Sequence, residues 1–197
     1  VKKVEPETTF ELNGSLVELS KSFNKNGKLS PFLNTGLMIN GQVMTLKSSA
    51  VYKGKQTLLR DIVQTKDIDN SYYLTSNELK DWKYLKGAKK IERTDSKGFV
   101  YTYSEGSMSF PDSLEKPSRT IITGEGGPAP SRFKHVIKQR DKFRRLTPIE
   151  LERLNMFPDN HTKLDGITDS KRAFFMGNAL VVGVIEKIGK TLLKSID

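Results

Sequence analysis

At 197 residues the chain is long enough for one ordinary domain or two small ones, and a hydrophobic share of 36% fits a globular chain with a modest core. It holds no cysteine and only two histidines, His135 and His161, which excludes a disulfide framework, a thiolate metal cluster and a cysteine nucleophile and leaves no metal site expected. The formal net charge is +10, no apolar run approaches the ~18–20 residues that span a bilayer, and no segment reads as a signal peptide, so a polyanion is a better partner than a membrane.

In chain order, the opening ~30 residues are polar, and Asn24, Lys25, Asn26, Gly27 and Lys28 form a loop-like run. Leu37-Met38-Ile39 and Gln42-Val43-Met44-Thr45 then flank Asn40-Gly41, the dipeptide that favours a two-residue type I′ turn, so a hairpin is predicted. Tyr72-Tyr73-Leu74 reads as a short strand. It leads into a helix whose start carries Thr75 and Glu78 at capping-box spacing, with Leu79, Trp82 and Leu85 on one face and Gly87 as the stop. Phe99 to Tyr103 reads as a further strand.

Composition shifts after Pro117. A glycine-rich loop, Thr123 to Pro128, precedes a basic segment in which Arg132, Lys134, Lys138, Arg140, Lys142, Arg144 and Arg145 face a single acid, Asp141. Such an excess suits phosphate binding through counterion release, and a solvated surface accounts for it nearly as well. Thr147-Pro148-Ile149-Glu150 is a helix start, with Leu151 and Leu154 giving an apolar side before Phe157-Pro158-Asp159 ends it. A last helix is predicted from about Ala179 to Ser195, with Val181, Val184, Ile185, Ile188 and Leu192 on one stripe. No internal repeat or low-complexity segment is present. The pattern predicts an α+β chain, β-rich and loop-rich over 1–117 and helical over 118–197.

Three segments carry a resemblance. Pro117-Ser118-Arg119-Thr120-Ile121-Ile122-Thr123, followed by Glu125-Gly126-Gly127 and Ser131-Arg132-Phe133-Lys134-His135, is similar to the ninth conserved block of bacterial cytosine-5 DNA methyltransferases. Arg145 to Leu154, closed by Phe157-Pro158-Asp159, looks like the segment that follows it in that family. Arg172 to Val182, centred on Gly177-Asn178, resembles the tenth block, in which a Gly-Asn pair opens a helix. Their order over the last ~80 residues is far more specific than any one of them. Residues from Ser30 to Ser109 then fall in the variable target-recognition region.

The resemblance implies roles. The enzyme must grip duplex DNA on both sides of a flipped cytosine, with phosphate contacts setting register and base edges selecting sequence. Arg119, Thr120, Gly126, Gly127, Arg132, Lys134 and His135 are expected at the DNA; for Arg119 a scaffold salt bridge competes with that role, and for Arg132, Lys134 and His135 ordinary solvated charge does. Gly124, Gly126 and Gly127 would let the loop pass close to other backbone. Thr57-Leu58 resembles a Thr-Leu pair found near DNA in these regions, with Thr45-Leu46 as a rival match. Lys89 and Arg93, in a second basic cluster with Lys86 and Lys90 beside Tyr101 and Tyr103, are within reach of phosphates or guanine edges. A favoured positive helix end explains Lys86 equally. Asn178, Ala179 and Leu180 are implied to line the S-adenosylmethionine side, Asn178 as an N-cap, and the helix they open is implied to pack on a Rossmann-like catalytic domain.

That domain's features are not in the sequence: there is no glycine-rich cofactor turn, Pro-Cys nucleophile pair or Glu-Asn-Val segment. The chain is therefore expected to be inactive alone and to partner duplex DNA and a catalytic half, either as a fragment or as a split subunit of a bacterial, cytoplasmic restriction-modification enzyme. The competing class is a sequence-specific DNA-binding module without an enzyme partner. Exposure of the last apolar stripe discriminates the two. No aromatic RNA-recognition motif supports an RNA-binding role.

Overall fold

The Asn40-Gly41 hairpin forms as expected. In the computed structural model, which describes residues 5–22 and 32–194, both turn residues have positive φ (49° and 79°), the signature of a two-residue turn that matches strand twist. The turn joins β2 (Thr35–Ile39) to β3 (Gln42–Leu46), and β1 (Thr8–Glu11) pairs with the other edge of β3, giving an antiparallel sheet of order β1-β3-β2. A short helix α1 (Leu16–Ser22) follows β1. Val43 and Thr45 are the buried side chains of β3, while β2 is exposed along its length. The Asn24–Lys28 run lies outside the described residues.

The chain divides into two compact units at Lys55/Gln56. The composition shift at Pro117 does not coincide with this division, because Leu59 belongs to the same buried cluster as Ile137, Leu146, Leu151, Ala173 and Met176. Residues 56–117 therefore fold onto the later segment.

In this second unit, Thr75 accepts from Glu78 N and Glu78 reaches back to Thr75 N, starting α2 (Ser76–Lys86), which Gly87 ends as expected. Two hairpins follow. β4 (Lys89–Thr94) pairs with β5 (Val100–Glu105), and β6 (Val136–Gln139) pairs with β7 (Lys142–Arg145). Three further helices complete it: α3 (Pro148–Leu154), α4 (Asp169–Asn178) and α5 (Val182–Leu193).

Three expectations change. Tyr72-Tyr73-Leu74 is not a strand: Asp69 caps a 3-10 turn over Asn70–Tyr72, and only Tyr73 makes an isolated bridge, to Arg144. The segment after Pro117 is not purely helical, since β6 and β7 lie within it. The Gly177-Asn178 pair closes α4 rather than opening the last helix. Thr168 caps α4 by accepting from Lys171 N, and the chain runs helically to Asn178 before α5 restarts at Val182. Its expected end at Ser195 lies outside the described residues.

Candidate nucleic-acid and cofactor interface

Two buried or half-buried charge clusters hold the loop from Pro117 to His135, and a third lies on the β6–β7 hairpin that follows it. Asp112 is the first hub: its carboxylate accepts from Arg119 Nε at 2.7 Å and Val136 N at 2.9 Å, with Lys86 Nζ 3.8 Å away. Burial acts to raise the Asp112 pKa, but the Arg119 and Val136 hydrogen bonds and nearby positive charge outweigh it and hold the carboxyl below its ordinary value. Burial pulls the Lys86 ammonium down, and it donates to Lys134 O. Glu125 is the second hub, accepting from His135 N and Nδ1 and, at 3.3 Å, from Ile122 N. His135 Nε2 meets Ser118 Oγ at 3.1 Å, so both ring nitrogens bridge parts of the loop. In the third, Arg144 and Glu150 are both fully buried and form a two-pronged pair at 2.6 and 2.8 Å.

Two glycines bring this loop onto α4. A Cβ on Gly177 would fall 2.4 Å from Thr123 Cα, and one on Gly126 would fall 2.5 Å from Ala173 Cβ. Only glycine allows either approach. The turn after α4 is fixed by Asn155, whose Nδ2 donates to Met176 O at 2.7 Å while its carbonyl accepts from Val182 N at 3.0 Å. Asn178 donates to Phe174 O at 2.9 Å, Ala179 N donates to Met176 O, and both Asn178 and Leu180 are exposed. A cleft of about 290 Å³ opens beside them, with Arg119, Thr120, Asn155, Gly177 and Ala179 among its walls.

The helix beyond this turn is amphipathic and uncovered. Val184, Ile185, Ile188 and Leu192 are 52%, 44%, 51% and 58% exposed, and no residue of α5 is buried. Across the unit, the β4–β5 ribbon carries Arg93 stacked 3.7 Å from the centroid of Tyr103. The Tyr103 hydroxyl donates to Glu105 at 2.6 Å, a bond that raises the phenol's pKa and lowers the carboxyl's.

The structure sorts the expected site residues. Thr57, Arg93 and Thr120 are exposed, whereas the rival Thr45 is buried in β3. Lys89 is half-buried against Leu85 O and Glu105. Arg119 supports the scaffold alternative, donating to Asp112 and to the carbonyls of Phe133 and Lys134. Arg132 is held by Glu105 and the carbonyls of Leu85 and Gly87, and buried Lys134 by those of Gly127 and Ala129. His135 is buried. The basic run is thus not one polyanion face: Lys134, Arg144 and Arg145 point inward, and Lys138, Arg140 and Lys142 remain outside. Asn178 is not an N-cap, because it lies in the last turn of α4.

Sequence reading missed Asp112, Glu125 and Asn155, since an acid or amide becomes a hub only through partners distant in sequence. It missed α4 although Thr168-Asp169, followed by Arg172, Ala173 and Met176 on one side, carries a helix signal. Among the described residues no group of three or more histidine or acidic side chains is placed to hold a metal, and no helix is long and apolar enough to cross a membrane.

Mixed helices and small sheets of this arrangement occur in solved methyltransferases. The Dnmt2 methyltransferase of S. pombe aligns with a TM-score of 0.52 at 14% identity, covering 79% of this chain and 51% of that one. The methyltransferase EhMeth of Entamoeba histolytica aligns at 0.51 and 14%, covering 79% and 47%. These likenesses define the fold. Residues 17–194 match the C-5 cytosine-specific DNA methylase family, and the chain belongs to that family. It is 40% identical over 179 residues to the Type II methyltransferase M.Sau3AI of Staphylococcus aureus, and spans 91% of its own length but 41% of that relative.

Proposed function

We propose that the chain is the DNA-selecting and cofactor-side portion of a cytosine-5 DNA methyltransferase, which transfers a methyl group from S-adenosylmethionine to a cytosine flipped out of a specific duplex site. The resemblance to a Type II methyltransferase supports a restriction-modification setting in the bacterial cytoplasm. Attack on cytosine C6 needs a thiolate, and these 197 residues hold no cysteine, so the nucleophile is proposed to come from a catalytic portion outside them, on the same polypeptide or on another. S-adenosylmethionine supplies the methyl group when bound. Asn178, Ala179 and Leu180 would contribute one edge of its site, held in place by Asn155.

One observation carries this reading over that of a free-standing DNA-binding module: the exposed stripe Val184, Ile185, Ile188 and Leu192 directly follows the Gly177-Asn178-Ala179 turn. A pure DNA binder has no use for an uncovered apolar helix there, whereas a catalytic domain docked on it would bury the stripe. At the DNA, the exposed Thr57, Arg93 and Thr120 are proposed to make contact, with Lys89 at the base of the ribbon. Arg119, Arg132, Lys134 and His135 are proposed to act by shaping the loop, and Gly126 and Gly127 by letting it approach the backbone.

The test is selection from a random duplex library, followed by affinity measured across a salt series. Enrichment of one short sequence, with log affinity falling linearly as log salt rises, is expected. Salt-insensitive binding without enrichment would refute the reading.

A further inference from the structure

The β4–β5 ribbon is built unlike the rest of its unit. Every β4 residue after Lys89 is exposed, and most of β5 is too, so the side chains here are not chosen for packing. Strand register pairs Ile91 with Tyr103 and Arg93 with Tyr101, which puts Lys89, Ile91, Arg93, Tyr101, Tyr103 and Glu105 on one face. On that face a chain of contacts leads outward from the body of the unit. Arg132 donates to the carbonyls of Leu85 and Gly87 at the end of α2 and to Glu105 at 3.2 Å. Glu105 accepts from the Tyr103 hydroxyl, and the Tyr103 ring carries the Arg93 guanidinium. Among the described residues no carboxylate pairs with Arg93.

We infer that Arg93 reads a guanine in the major groove of duplex DNA, with Tyr103, Glu105 and Arg132 as the positioning residues behind it. The inference rests on the DNA-binding reading proposed above and adds which base is read and by which side chain. Two strands lie ~4.8 Å apart, so a ribbon with its side chains fits a major groove ~12 Å wide. A planar guanidinium fork matches the O6 and N7 acceptors of guanine, and stacking on a ring whose hydroxyl is tied fixes the plane of that fork in advance. A phosphate contact needs only a mobile charge. Exposed Lys90 and Lys97, on the same hairpin, are of that kind and give the ribbon its complementarity to the DNA backbone.

The experiment is the same duplex-library selection, run with the wild-type chain and with Arg93→Ala, Arg93→Lys and Tyr103→Leu, each checked for an unchanged unfolding transition. Because Arg93 is exposed and lies outside the core, its variants fold. Arg93→Ala is expected to lower the preference for guanine at one position by roughly 5- to 150-fold and to leave the other positions as they were. Arg93→Lys keeps the charge, so it should lose that preference while holding the salt slope. Tyr103→Leu should weaken the preference at the same position by a smaller factor, a position-resolved effect that loss of mere structure does not produce. A uniform loss across all sequences with a salt slope reduced by about one would make Arg93 a phosphate contact and overturn the inference. Unchanged preferences in Arg93→Ala would overturn it while leaving the DNA-binding reading intact. If the wild-type chain enriches no sequence, both fail.

Discussion

Arg144 and Glu150 are both fully buried, and Glu150 also accepts from Thr147 N and Gln64 N, so one carboxylate serves an ion pair, a helix cap and a loop. Removing one member of such a pair leaves an uncompensated buried charge. Glu150→Ala is therefore expected to destabilise the second unit by about 3–5 kcal/mol, measured by urea unfolding followed at Trp82. A loss under 1 kcal/mol would mean that the pair is hydrated. Gly177 sets a different constraint: the Cβ of Gly177→Ala would meet the Thr123 backbone, which cannot swing aside as a side chain can. A loss of about 1–3 kcal/mol is expected, together with a weaker hold on the turn that ends α4. Neither effect was legible in the sequence. Glu150 was visible as a capping residue and Gly177 as half of a Gly-Asn pair, yet their partners sit at Arg144 and Thr123, and only folding shows which atoms meet.

Helix starts and hairpin turns were the most legible elements, because Thr75 with Glu78, Thr147 with Glu150, and Asn40-Gly41 each act over four residues or fewer. The failures have longer range. The basic run from Arg132 to Arg145 looked like one surface, but its hairpin sends Arg144 and Arg145 inward, where Glu150 and backbone carbonyls meet them. The α4–α5 break depends on Asn155, which no local pattern announces. At this scale the carboxylates also set a pH response. Burial acts to raise Asp112 and Glu152, yet hydrogen bonds and cations (Arg119 at the first, Thr162 and Arg172 at the second) hold both below their ordinary values. A lowered folded-state pKa adds stability that is complete above the unfolded value and is lost as pH falls through the folded one. The urea midpoint should thus stay level from neutral pH to about 5 and drop below about 4. Asp112→Asn, already lower at neutral pH, should show a shallower acid drop. An equally steep drop would show that other groups govern it.

Across the whole molecule, one face of α5 is dressed for a core that the described residues do not supply. Replacing Ile185 and Ile188 by Asp should change stability by less than about 0.5 kcal/mol each, since about half of each side chain is already exposed and neither belongs to the buried core. The same pair should block association with a catalytic portion, read by analytical ultracentrifugation. The sequence made this face legible as a stripe, and the structure leaves its side chains exposed. The central claim is that this chain selects DNA and completes the cofactor side for chemistry performed elsewhere. It is tested most directly by transfer of a labelled methyl group from S-adenosylmethionine to duplex DNA, using the catalytic portion of a closely similar cytosine-5 methyltransferase with and without this chain. Incorporation in the mixture alone, abolished by the Ile185→Asp and Ile188→Asp pair, is the result predicted. Equal incorporation without the chain, or none with any matching catalytic portion, would contradict it.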